Sequence, residues 1–209
     1  MIKEKIRTGK GGNMRIRFKT SFTDKHPPVD PAIEDLKRWC VRFHNLGLTP
    51  VYEGSSLGNL SFRPEKGENA FIITASQLKL KNNLTEDAFV KVHSCDPDRT
   101  IVHASGTREP SSESMLHFEI YRKRNEINAI FHGHCDAILE RAEDMHIPVT
   151  YREEPFGSAS LMRRVLEILD DNLFIVMRNH GFIALGKDMK SAGELAVRMY
   201  ERCLDNKRR

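Results

Sequence analysis

Apolar positions along the chain switch between helical and strand-like spacing, and turn residues punctuate the changes. Ile33, Leu36, Cys40 and Phe43 recur every three or four residues and predict a helix. Asp30 is its cap, Pro31 its first position and Leu46-Gly47 its end. Residues 58–63 and 69–74 read as two strands joined by the polar turn Pro64 to Glu68. Val90 to Val92 and Thr100 to His103 read as further short strands. Ser112 to Arg124 reads as a helix, with Met115, Leu116, Phe118 and Ile120 available for packing. Ile127 to Phe131 reads as a strand, and Asp136 to Met145 as a helix that stops before Ile147-Pro148. A helix over Gly157 to Asp170 capped by Ser158, a strand over Leu173 to Met177 and a strand over Gly181 to Leu185 follow. A C-terminal helix capped by Asp188 carries Leu195, Ala196, Met199 and Cys203. Several neighbouring strands have no helix between them, which predicts an α/β domain around a mainly antiparallel sheet.

At 209 residues the chain is long enough to bury about 70% of its unfolded surface in one core without disulfides. Its four cysteines lie far apart and form no C-x-x-C pair, which argues against a disulfide framework or a zinc knuckle. The net charge of +4 is uneven. Lys3, Lys5, Arg7, Lys10, Arg15, Arg17, Lys19 and Lys25 against Glu4 and Asp24 give +6 over residues 1–25, leaving −2 for the rest. With His26-Pro27-Pro28 as a breaker, residues 1–28 read as a basic, flexible arm and residues 29–209 as one domain. Met14 is an alternative start. The arm has no nucleic-acid-binding motif beside it, so its charge is weak evidence for such a partner. No stretch has the length and apolarity of a membrane span or the apolar core of an export signal, and the expected compartment is the cytoplasm. No G-x-G-x-x-G, Walker loop or G-x-S-x-G is present.

The chemistry-bearing residues cluster at predicted strand ends. His132-Gly133-His134 follows one strand, and imidazoles two residues apart there point to one side. Gly133 is expected to leave room for an ion between them. His180, in Asn179-His180-Gly181 after another strand, can supply a third imidazole, and three histidines with an open position make a catalytic metal site. A lone H-x-H equally fits two hydrogen-bonded histidines. Pro110-Ser111-Ser112-Glu113 precedes a helix and reads either as a simple cap or as an anion site with a carboxylate beside it. Gly58-Asn59-Leu60-Ser61 reads as a turn or as a close-approach lip for an anion, and Thr74-Ala75-Ser76 offers hydroxyls at a strand end.

Taken in order, G-N-L-S, I-T-A-S, L-T-E-D, P-S-S-E, H-G-H and N-H-G resemble the class II aldolase/adducin-head family over about residues 30–204, most closely its fuculose-phosphate-type sugar-phosphate aldolases. The resemblance implies a three-layer domain with a central, mainly antiparallel sheet flanked by helices, assembled as a homotetramer with active sites at subunit interfaces. It implies His132, His134 and His180 as ligands of Zn²⁺ or another divalent transition metal, and Glu113 as the catalytic acid/base. It implies a phosphate site from Gly58, Asn59, Ser76, Ser111 and Ser112, with Tyr151 near a family tyrosine that assists protonation. The implied reaction is cleavage of a ketose 1-phosphate to dihydroxyacetone phosphate and an aldehyde. Zinc stabilises the enediolate and Glu113 transfers the proton, its pKa open to elevation by partial burial. Dehydration of a ketose 1-phosphate of the methylthioribulose type on the same site is the alternative, and a non-catalytic adducin-like domain a further one. Three departures stand out: Thr74-Ala75-Ser76-Gln77 replaces T-P-T-G, Asn179 replaces the first of two histidines, and the segment from Ile147 to Gly157 is short.

Overall fold

A computed structural model describes residues 18–205. The elements in chain order are β1 (Lys19–Asp24), α1 (Ile33–Asn45), β2 (Val51–Tyr52), β3 (Ser55–Ser56), β4 (Asn59–Phe62), β5 (Phe71–Thr74), β6 (Phe89–Asp96), β7 (Ile101–Ser105), α2 (Ser114–Lys123), β8 (Ala129–Gly133), α3 (Asp136–Arg141), α4 (Ala159–Glu167), β9 (Phe174–Met177), β10 (Gly181–Gly186) and α5 (Met189–Asp205). Eight strands form one sheet in the order β1-β7-β6-β5-β4-β8-β10-β9, and β2 and β3 form a separate small hairpin. Every pairing in the large sheet is antiparallel except that of β1 with β7.

Helices cover both faces because adjacent residues of a strand point to opposite sides. On β8, Phe131 meets Trp39 and Phe43 of α1, while His132 meets Glu113 at the start of α2. Helices α1, α3 and α5 pack together on the first side, and α2 packs with α4 on the other. Phe43, Leu60, Phe131, Phe182 and Ile183 are fully buried, so β4, β8 and β10 form the rigid middle of the molecule. No described helix is long and apolar enough to cross a membrane.

Several expectations shift. The expected arm includes residues 18–28, yet Lys19–Asp24 add the edge strand β1 to the sheet. Alternation there is weak (Thr20, Ser21 and Thr23 interrupt it), so only pairing with β7 makes the strand. Residues 1–17 of the arm lie outside the described residues. Helix α1 starts at Ile33, two residues later than expected. The Asp30 carboxylate accepts from Ala32 N at 2.8 Å and stabilises a turn that leads into the helix. Strand β8 runs on through Gly133, and α2 begins only at Ser114, leaving Ser111 to Glu113 as the turn before it. Helix α3 ends at Arg141, short of Met145. The expected caps of the last two helices are present: Ser158 accepts from Leu161 N at 3.1 Å, and Asp188 from Ser191 N at 2.7 Å.

Candidate functional site

Strand β8 is the spine of the site. His132 and His134 fall on the face opposite α1, and β10 brings His180 to the same place through a tight turn, His180 N donating to Met177 O at 3.0 Å. Asn179 occupies φ +55° in that turn, a conformation Asn tolerates better than most residues, and its Nδ2 donates to Glu153 at 2.9 Å. Glycine is required on either side of the spine. A Cβ on Gly181 would lie 2.4 Å from Gly133 O and 2.8 Å from the His132 ring. A Cβ on Gly58, at φ +74°, would lie 2.6 Å from His132 O. Gly133 does not serve as the expected gap for an ion. Strand alternation turns its Cβ position to the opposite face, where it would meet the Phe182 ring at 2.6 Å and Leu48 O at 2.8 Å.

The three imidazoles form a triangle. Ring centroids lie 4.7 Å apart for His132 and His134, 5.0 Å for His132 and His180, and 5.0 Å for His134 and His180. One nitrogen from each lies within 4.8 Å of the others. Glu113 faces the triangle, its Oε2 3.2 Å from His132 Nε2 and its Oε1 3.4 Å from His180 Nε2. His132 Nδ1 meets the Phe182 carbonyl at 2.8 Å, so the Nδ1 proton is donated there. In the neutral form that a metal requires, His132 would turn a bare Nε2 lone pair toward a carboxylate oxygen. Two acceptors in contact, both buried, are satisfied by a cation between the groups. The donor set therefore fits a divalent metal: neutral nitrogen ligands, one held from behind by a carbonyl, and a carboxylate alongside. Burial, reinforced by the neighbouring imidazoles, lowers the pKa of His134. Burial takes His180 down to about 4 against the opposing charge of Glu113. Burial alone would raise the Glu113 pKa as the sequence suggested. His132, His180 and the amide of Asn59 outweigh it, and the net direction is down.

The family model described as the class II aldolase and adducin N-terminal domain matches residues 34–142 and 138–204. The chain belongs to this family. It is 30% identical over 155 residues to the L-fuculose phosphate aldolase of Methanococcus maripaludis, an alignment covering 68% of this chain and 79% of that one. It is 30% identical over 171 residues to the 5-methylthioribulose-1-phosphate/5-deoxyribulose-1-phosphate aldolase of Rhodospirillum rubrum, covering 70% and 72%. A solved sugar-phosphate aldolase from Thermotoga maritima superposes with a TM-score of 0.65 at 20% identity, covering 83% of this chain and 94% of that one. The chain is thus a class II aldolase-family lyase with the family fold.

Within this fold the other candidate residues fall into two groups. Asn59 pairs with His132 across β4 and β8, and its Nδ2 donates to Glu113 Oε2 at 3.0 Å. An Ala75–Pro110 bridge and the bond from Ser76 N to Glu109 O at 2.8 Å bring the Ser76 loop beside the Pro110–Glu113 turn. Ser111 is buried and accepts from Glu113 N at 3.4 Å. Half-buried Ser112 closes on Gly157, whose Cβ would meet Ser112 O at 2.8 Å, and borders a cleft of about 360 Å³ that reaches Met115 and Met162. Tyr151 is the exception: it is 82% exposed and is not among the groups gathered around Glu113.

Two buried polar residues at the site escaped sequence reasoning. His117, on α2, is fully buried with its Nδ1 2.8 Å from Ser61 Oγ. Its spacing of four from Glu113 was the available signal. Lys81 is 1% exposed, and its Nζ donates to the carbonyls of Ser56 at 2.9 Å and Leu57 at 3.0 Å, just before Gly58-Asn59. No local pattern distinguishes it from the exposed Lys79 two residues earlier.

Proposed function

We propose that the chain is a zinc-dependent aldolase that cleaves a ketose 1-phosphate to dihydroxyacetone phosphate and an aldehyde. The observation that carries this reading is Glu113 seated against two of three clustered imidazoles, with its own Asn59 donor. His132, His134 and His180 would hold the metal, which when bound supplies Lewis-acid stabilisation of the negative charge that develops on the substrate oxygens. Glu113 carries the proton at the carbon adjacent to the carbonyl, and Asn59 keeps its carboxylate aimed there. The backbone at Gly58 and the hydroxyls of Ser76, Ser111 and Ser112 hold the phosphate, which fixes the distance from the anion to the reacting carbon. The rigid pairing of β4 with β8 and the bridge at Ala75–Pro110 support such a cradle. The exposure of Tyr151 fits a homotetramer whose sites are completed at subunit interfaces, where a protonating phenol would be covered.

The test is mass spectrometry of products after incubating zinc-loaded protein with a panel of ketose 1-phosphates, among them fuculose 1-phosphate and 5-deoxyribulose 1-phosphate. Dihydroxyacetone phosphate with an equivalent of aldehyde is the expected result. A product lighter by one water would replace the aldolase reading with a dehydratase. Recovery of every sugar unchanged, with zinc bound, would overturn the reading.

A further inference from the structure

We propose that His117 is a positioning residue for Glu113, its Nε2–H holding the carboxylate once His132 and His180 are committed to a metal. The inference rests on the reading of Glu113 as the proton carrier. His117 N donates to Glu113 O at 3.1 Å, so the two residues stand one helical turn apart on the same face of α2. The His117 side chain is fully buried, and its Nε2 has no hydrogen-bond partner among the described residues. Three more buried atoms of the site lack one, Glu113 Oε1, Asn59 Oδ1 and His180 Nδ1. Buried polar atoms are almost always paired, so four orphans in one site mark groups waiting for a ligand or for a rearrangement.

Counting protons fixes which orphan is the donor. Tyr121 is fully buried, and a buried phenol must give its proton to an acceptor. The single Tyr121 proton is then free for Ser61 Oγ, 2.8 Å away, and the single Ser61 proton for His117 Nδ1, also at 2.8 Å. His117 Nδ1 accepts, and the ring proton resides on Nε2. Burial, opposed by the charge of Glu113, pushes the His117 pKa down to about 3, so the imidazole stays neutral with that one proton.

The carboxylate lacks a second donor. Glu113 Oε2 accepts from Asn59 Nδ2 at 3.0 Å, and Glu113 Oε1 accepts from no described group. An imidazole that gives its Nε2 lone pair to a metal has no proton to offer, so His132 and His180 would not fill that place. A carboxylate held by one bond samples several rotamers, and proton transfer needs one of them. His117 Nε2–H, carried by the same helix, is the second point of support.

The test uses the full chain with H117F, which keeps an aromatic ring but no donor, H117Q, which restores a donor, and S61A, which releases the tautomer. Two-bond proton–nitrogen spectra of [¹⁵N]histidine-labelled, chelator-treated protein should show His117 protonated at Nε2. An Nδ1-protonated ring would overturn the proposal. Hydrogen exchange of dihydroxyacetone phosphate in D₂O, followed by proton NMR, reads the proton transfer alone. H117F should retain zinc and half-saturation while exchanging at least about tenfold more slowly, and H117Q should recover most of the rate. Exchange by H117F at the wild-type rate would overturn the role of His117 and leave the aldolase reading intact. A zinc-loaded wild type that exchanges nothing would overturn both. If H117F fails to fold, S61A decides: a rate equal to wild type overturns the proposal, and a several-fold loss with zinc retained supports it.

Discussion

Replacing Lys81 with methionine tests whether a buried cation sits beneath the Gly58-Asn59 lip. The ammonium is 1% exposed and is solvated by the Ser56 and Leu57 carbonyls. Burial lowers its pKa from 10.5 to about 8, and the Cys40 thiol offsets little of this. A lowered pKa on a base means that folding disfavours the charged form. The unfolded chain binds more protons between pH 8 and 10.5, so the destabilisation is fully present below about pH 8 and is relieved as pH rises towards 10.5. The whole shift corresponds to about 3 kcal/mol, of which about 2 kcal/mol should be recovered between about pH 7.5 and pH 10. At a single pH, K81M mixes removal of that penalty with two stranded carbonyls, each worth about 1–3 kcal/mol in the opposite direction. The pH slope of the difference isolates the charge. Urea unfolding of wild type and K81M, with chelator and at equal protein concentration, should show wild type gaining about 2 kcal/mol on the variant over that window. A difference that stays constant within about 0.5 kcal/mol would refute the buried-cation argument.

E113Q should bind zinc with wild-type stoichiometry, measured by atomic absorption, and lose activity by a factor of about 10² or more; full activity would remove Glu113 from the chemistry. H134A should emerge from dialysis with substoichiometric zinc, because an open three-histidine site has no ligand to spare. G58A combines left-handed strain of roughly 1 kcal/mol with a 2.6 Å approach to His132 O, so it should weaken zinc affinity as well as lower the melting temperature. A competition titration with a chelating dye that gives the wild-type affinity would show that the clash relaxes away from the ligand strand. Saturating zinc should raise the melting temperature of chelator-treated wild type by several degrees, since a ligand at about 100 times its Kd adds about 2.7 kcal/mol.

The helices and strands of the middle of the chain were legible because their apolar spacing and burial agree. Ile33, Leu36, Cys40 and Phe43 are the buried stripe of α1, and Phe71, Ile72 and Ile73 are buried together in β5. What was not legible depends on partners distant in sequence. β1 carries alternation too weak to announce a strand and forms because β7 offers an edge, with Thr20 paired to Val102 and Ser21 to His103. The three histidines and Glu113 could be named from their order along the chain, since each sits at the end of a strand or the start of a helix. Asn59 could be named but not its partner: its amide is turned to Glu113 by the register of β4 on β8. Lys81 gave no local sign and His117 only its spacing of four from Glu113, because burial of a polar side chain is a property of the assembled fold.

The positions around β8 also explain why the ligands alone underdetermine the centre. His132 is fixed by the Phe182 carbonyl from β10, and β10 can supply it only because Gly181 lets the turn carrying His180 close onto the His132 ring. Gly133 lets the Phe182 ring pack beneath the strand, and Gly58 lets the β4 lip approach the His132 carbonyl. A methyl group at any of these three positions would strike backbone or ring atoms at 2.8 Å or less and displace a ligand-bearing segment without removing a ligand. The geometry of the three-imidazole cluster is therefore set as much by the missing side chains as by the histidines. Alanine at Gly58, Gly133 or Gly181 should weaken zinc binding while every coordinating atom remains in the chain.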